Sequence, residues 1–140
     1  MTPTAVLDTN VIVSGIGWQG DARTVLRLLG RHVFVSVRTP YLTQEWSETL
    51  LKMSVRVEWQ NPNWESWLDW LKASSRLIAD APAKLIVRRD LKDNPILAAA
   101  ISHGAGSVVT QDKDMLDLQK PYGVQCVTPR TFIREVLLIA

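Results

Sequence analysis

Cysteine is nearly absent from this chain: Cys126 is the only one in 140 residues. An internal disulfide is therefore excluded, and so is a metal cluster built on thiolates. Histidine is scarce too, with His32 and His103 widely separated. No apolar run approaches the roughly 20 residues that a membrane-spanning helix needs. The opening MTPTAVLDTN has no basic stretch leading into a long apolar core, so no signal peptide and no membrane association are expected. Neither sign of charge dominates: 16 basic residues stand against 14 acidic ones, a net charge of +2, so bulk charge does not announce a nucleic-acid partner. Repeats, linkers and low-complexity tracts are missing as well. What is there is an ordinary globular mix, 46% apolar and 21% charged, at a length typical of one domain and long enough to bury a core. The expectation is a cytoplasmic protein with a single domain over residues 1–140.

Short β-type runs alternate with helical stretches. Thr4 to Leu7 is an apolar run that ends at Asp8. Asp21 to Leu29 has helical spacing, capped by Asp21 and stopped by Gly30. In His32 to Val37, Val33, Val35 and Val37 alternate onto one face. Thr39-Pro40 reads as a cap followed by proline at the first helical position, with a helix to about Met53. Asn61-Pro62 repeats that signal, and Trp64, Trp67, Leu68 and Leu71 then share one helical face. Lys84 to Val87 reads as a strand. Asn94-Pro95 opens a helix through Ser102, closed by Gly104. Ser107 to Thr110 and Val124 to Val127 read as buried strands, and Thr128-Pro129 opens a last helix. Strands alternating with helices predict an α/β domain with a parallel sheet covered on both faces.

In such sheets functional groups collect beyond the carboxyl ends of the strands. Asp8 lies just past the first strand and Asp112 just past Ser107 to Thr110. Glu45 sits in the second turn of the helix that Pro40 starts, and Asp90, Asp93 and Asn94 crowd the approach to the helix that Pro95 starts. Each has a plain reading. Asp8 suits a turn, Glu45 a solvated helix face, and Asp93, Asn94, Asp112 and Asp114 suit helix caps. Their order along four separate segments favours a shared site. Gathered carboxylates must protonate or bind a cation. All-oxygen ligands suit Mg²⁺ or Mn²⁺ rather than zinc. Such a site activates water and stabilises charge on a phosphate, and the backbone of RNA or DNA is the natural substrate.

These segments resemble PIN-domain proteins, in particular the branch that supplies toxins of toxin–antitoxin pairs. The likeness spans nearly the whole chain: VLDTNVIVS from Val6, TPYLTQEWSETL from Thr39, RRDLKDNPILAAA from Arg88, GAGSVVTQDKDML from Gly104 and GVQCVTPRTF from Gly123. The resemblance implies a PIN-like, Rossmann-like three-layer α/β/α sandwich around a central, mainly parallel sheet. It implies a metal-dependent ribonuclease acting on single-stranded RNA, with Mg²⁺ or Mn²⁺ as cofactor, a homodimer, and an antitoxin protein as partner. Asp8 matches the first acid, Glu45 the second and Asp112 the one after the T-x-D turn. Thr9 and Asn10 complete the first motif as supporting residues. The third acid is where this chain departs: counting back from Leu97 in ILAAA lands on Asn94. Asp93, one residue earlier, is taken as the carboxylate, with Asn94 as a neutral ligand beside it and Asp90 as the other candidate. Asp8, Asp93 and Asp112 then hold metal, Glu45 handles the attacking water, and the products carry 3′-hydroxyl and 5′-phosphate ends.

Arg88, Arg89 and Lys113 are candidate phosphate contacts, and solvated charges on the plain reading. Arg23, Arg27, Arg31, Arg38, Lys52, Arg56 and Lys72 are candidates for a basic rim around an acidic pit. Trp59, Trp64, Trp67 and Trp70 cluster around one helix. A packed face is the favoured reading for Trp67, while an exposed tryptophan there signals a partner or dimer contact, and base stacking ranks below both. His32, His103 and Cys126 are left out of the chemistry. Asn94 in the aspartate register keeps a second reading open, a catalytically weak module that binds nucleic acid or a partner. A receiver domain or a D-x-D phosphatase fits poorly, because Asn10 stands where a second acid is needed.

Overall fold

The computed structural model describes residues 2–80 and 94–139. Among these, five strands form one sheet, all parallel, in the order β3-β2-β1-β4-β5. The strands are β1 (Thr4–Leu7), β2 (Val35–Arg38), β3 (Ser75–Leu77), β4 (Ser107–Val109) and β5 (Gln125–Val127). The helices are α1 (Thr9–Gly17), α2 (Asp21–Gly30), α3 (Pro40–Ser54), α4 (Trp64–Ser74), α5 (Asn94–Ser102), α6 (Lys113–Asp117) and α7 (Pro129–Ile139). The result is the three-layer α/β/α sandwich that the alternating pattern predicts. Central strands covered on both faces must be apolar throughout, and Ala5, Val6, Leu7, Val108 and Val109 are all buried. The chain leaves β1 toward β2 on one side and returns to β4 on the other. The junction of β1 and β4 is therefore the point where strand order reverses, and the crevice beyond it is where such sheets bind ligands.

Several starts form as their residues dictate. Thr39 accepts the N–H of Leu42 at 3.1 Å and Pro40 takes the first turn of α3. Asp21 does not cap α2, because Gly20 holds that position with no side-chain hydrogen bond; Asp21 in the first turn and Arg27 in the last complement the helix dipole instead. The pair Phe34 and Phe132, edge to face at 4.9 Å, packs in the core. Cys126 is buried in β5, and burial pushes its thiol up to about 11.

The structure corrects four further readings. Residues 9–17, passed over in the sequence pattern, form α1, a helix rich in β-branched residues and glycine that burial rather than propensity sustains. Gly15 and Gly17 let it approach its neighbours: a Cβ on Gly15 would lie 2.8 Å from Leu26 Cδ1, and one on Gly17 2.5 Å from Trp59 Cζ3. The edge strand β3 begins where α4 ends, with no connecting turn, and Ser75 donates to Ser36 across the pair at 2.9 Å. The predicted strand at Lys84 to Val87 lies outside the described residues. Asn61 does not cap α4. It is buried, donates to Ile16 O at 2.9 Å and accepts from Asn63 N–H at 2.8 Å, and the helix starts at Trp64. His32 does not head a strand either; it sits in a left-handed turn at φ 60° before β2.

The α4 face is as predicted in part. Leu68 and Leu71 are buried, Trp64 and Trp67 pack partly against the core, and Trp70 is exposed. The Trp59 ring against Gly17 cannot retreat easily. Its N–H donates to Asn61 O at 2.6 Å, and it meets Trp18 edge to face at 5.4 Å. Gly17→Ala is expected to destabilise the protein by about 1–3 kcal/mol through overpacking, read by urea denaturation. An unchanged midpoint would show that the ring yields freely.

Candidate active site

Leu7 ends β1, and Asp8 turns the chain into α1 with extended backbone angles (φ −65°, ψ 153°). Its N–H bonds to Val109 O at 2.9 Å, which continues the ladder with β4 by one step. Its carboxylate accepts from Thr9 N–H at 2.7 Å, from the Thr110 hydroxyl at 2.7 Å and from Asn10 Nδ2 at 3.3 Å. Thr110 follows β4 directly. Besides donating to Asp8, its oxygen accepts from Asp112 N–H at 3.0 Å, so one hydroxyl holds two of the predicted acids in place. Asn10 Oδ1 accepts from Gln111 N–H at 3.0 Å and closes the ring of contacts between the β1 and β4 ends.

Glu45 arrives from the second turn of α3. It is half-buried and accepts a hydrogen bond from the Thr9 hydroxyl. Its neighbour Trp46 is fully buried and anchors that turn of helix. Asp112 caps α6 by accepting from Asp114 N–H at 3.1 Å, so its plain capping role is real. The same residue also lies near enough to act on Asp8. Burial is the main reason that the Asp8 carboxyl is raised above its ordinary value; the Thr110 and Thr9 hydrogen bonds oppose the rise, and the charges of Glu45 and Asp112 add to it.

The structure therefore brings together Asp8, Glu45 and Asp112, with Thr9 and Asn10 as their supports. Lys113 is exposed at the start of α6. Asn94 is the first residue of α5. Asp90, Asp93, Arg88 and Arg89 lie outside the described residues. Arg23 does not join a rim around the acids. Its guanidinium donates to Gly15 O and Ile16 O, each at 2.9 Å, and lies 4.9 Å from the Trp67 ring centre. Thr110 is the positioning residue that charge-based reading passes over. Its one sequence signal is the T-x-D spacing, which lets a hydroxyl take the N–H two residues on.

Among the described residues, no three His, Cys, Asp or Glu side chains already form a metal-ligand group. The donor type nonetheless fits a hard divalent cation. The three groups are carboxylates, and two of them push up the pKa of the third, a repulsion that a cation would relieve.

A parallel sheet with carboxylates at its switch point defines an α/β protein whose ligand site lies beyond the strand ends. The model of the PIN domain matches residues 4–114, most of the chain, and the chain belongs to that family. The crystal structure of PAE2754 from Pyrobaculum aerophilum is similar with a TM-score of 0.66 and 18% identity, over 97% of this chain and 90% of that one, a likeness of fold. No curated protein matches the chain.

A carboxyl with a raised folded-state pKa keeps its proton to higher pH in the folded protein than in the unfolded chain. Its contribution to stability is present below the ordinary value of 3.8 and is lost as pH rises through the folded value. Asp8→Asn removes that loss. In EDTA, the stability of the variant relative to the parent is expected to rise between about pH 4 and pH 7. Denaturation at both pH values measures it, and a gap that shrinks with pH would contradict the assignment.

Proposed function

We propose that the protein is a divalent-cation-dependent endoribonuclease that hydrolyses phosphodiester bonds of single-stranded RNA. The observation that carries this reading is the meeting of Asp8, Glu45 and Asp112 at the β1–β4 switch point of a PIN domain. On this reading Asp8 and Asp112, with Asp93 and Asn94 from the neighbouring segment, hold Mg²⁺ or Mn²⁺. The bound cation would supply an acidified water and neutralise charge at phosphorus. Glu45 takes the proton of the attacking water. The Thr9 hydroxyl holds one Glu45 oxygen, so the base is oriented rather than free to swing. Thr110 acts through Asp8 and Asp112 as a positioning residue, keeping both carboxylates turned to one crevice. Arg88, Arg89 and Lys113 contact flanking phosphates, and the products carry 3′-hydroxyl and 5′-phosphate ends. We further propose a cytoplasmic toxin of a toxin–antitoxin pair, a homodimer held in check by an antitoxin protein.

One observation favours a second reading, a weak or inactive module that binds nucleic acid or a partner: Asn94, a neutral residue in the register of the third acid, is the one that opens α5. A mixed single-stranded RNA pool separates the two. Cutting is expected with Mg²⁺ or Mn²⁺ and not with EDTA, and is expected to vanish in Asp8→Asn, Asp112→Asn and Asp93→Ala. Thr110→Val should lose about 10–100-fold, the usual cost of removing a partner behind a ligand. No cutting under any metal by folded protein would favour the binding module, and cutting that survives EDTA would refute the metal-dependent mechanism.

A further inference from the structure

A cleft of about 380 Å³ opens beside the acidic centre, lined by Ser14, Trp18, Gln19, Gly20, Asp21 and Gln111. That volume falls within the ~300–1,000 Å³ range of small-molecule sites. Gln111 belongs to both places. It stands between Thr110 and Asp112, its N–H donates to Asn10 Oδ1 at 3.0 Å, and its side-chain Oε1 accepts from Ser14 Oγ at 3.2 Å. Ser14 is six residues beyond Asp8, so it lies about 9 Å further along α1 at the usual helical rise. A strand with one phosphate at the acids that ran along α1 would meet the cleft.

The lining chemistry says which part of a nucleotide fits. Among the described residues no lysine or arginine side chain lines the cleft, and the Asp21 carboxylate at the start of α2 offsets the pull of that helix's first N–H groups on a phosphate. The one acid, Asp21, is exposed and paired through one oxygen with Arg130 Nε at 3.1 Å. A carboxylate accepts more than one bond, so Asp21 keeps acceptor capacity. Gln19, Gln111 and Ser14 offer donors and acceptors together. Trp18 supplies a half-exposed aromatic wall whose N–H is already engaged with Glu58 O at 3.2 Å and whose ring is braced by Trp59. Aromatic surface with amide edges is how unstacked bases of single-stranded RNA are held. A second cleft, between α2 and α4, is walled by Leu26, Trp67 and Trp70 and is nearly all apolar, so it lacks these edges.

We propose that the cleft is a base-binding subsite that receives a nucleobase flanking the cleaved bond, with Gln111 linking its occupancy to the acidic centre. This rests on the ribonuclease reading. Asp21 can only accept hydrogen bonds, so the subsite favours bases that present an exocyclic amino group, adenine, cytosine or guanine, over uracil, whose one edge N–H lies between two carbonyl oxygens that a carboxylate repels.

The test has two arms. In the first, Asp8→Asn protein is titrated with single-stranded oligo(A), oligo(C) and oligo(U) and read by tryptophan fluorescence and by anisotropy of labelled RNA. Oligo(A) and oligo(C) are expected to bind about tenfold more tightly than oligo(U), the lower end of what a good base-edge contact supplies. Adding Gln111→Ala or Asp21→Asn should level the three, while thermal melts confirm the fold. In the second arm, cut ends from the mixed pool with parent protein are sequenced. Uridine should be depleted at one fixed position beside the cut, and Gln111→Ala should erase that depletion. Binding that ignores base identity, or a preference that survives both substitutions in folded protein, would overturn the proposal. A parent that does not cut, yet binds with the Gln111-dependent preference, would sink the ribonuclease reading and leave a base-binding cleft.

Discussion

Asp8 terminates the central strand, starts the first helix, and buries its carboxylate where β1 meets β4. A buried carboxylate is costly unless hydrogen-bonded, and here the partners come from both sides of the switch point: Thr9 and Asn10 from α1, Thr110 from the end of β4. The bond to Thr110 joins residues 102 positions apart in the chain. It can form only if β4 lies beside β1 in the observed register, with Leu7 opposite Val109. Fold and site therefore depend on one contact. The same contact orders the Thr110 hydroxyl, which in turn sets Asp112.

Much of this was readable beforehand, for definite reasons. Thr39-Pro40 announced α3 because a hydroxyl cap and a proline act locally, and that fixed the place of Glu45. The runs ending at Leu7 and Val109 announced buried parallel strands because both faces had to be apolar. What stayed hidden depended on neighbours far off in sequence. The segment TNVIVSGIG has little helical propensity; it becomes α1 because Asp8 caps it and because Gly15 and Gly17 let Leu26 and Trp59 close on it. The strand Ser75–Leu77 is short, largely exposed and fused to α4, so helical periodicity ran into it unnoticed. Thr110 and Gln111 carry no charge, and their parts in the site appear only once β4 is placed against β1. The loss of Arg23 from the expected basic rim has the same origin. Its charge is spent on the last carbonyls of α1, which only the packed structure presents to it.

Two clefts of the described fold differ in chemistry. The groove between α2 and α4 has tryptophan walls and little polarity, whereas the cleft between α1 and the β4 loop is rich in amides and hydroxyls. Arg23 stands between these regions and serves both. It ties the end of α1, from which Trp18 projects, and it covers Trp67 on α4. Arg23 thus acts as a structural cation at the far end of α1.

The lone thiol has a practical meaning. Cys126 is buried in β5 with its pKa pushed up to about 11, and a thiol without thiolate character neither alkylates nor oxidises readily at neutral pH. The native protein is in effect silent to thiol chemistry. A cysteine introduced at an exposed position such as Lys113 or Gln19 would be the single reactive handle on the molecule, ready to carry a spin label or fluorophore without removing the native residue and opening a void in the core.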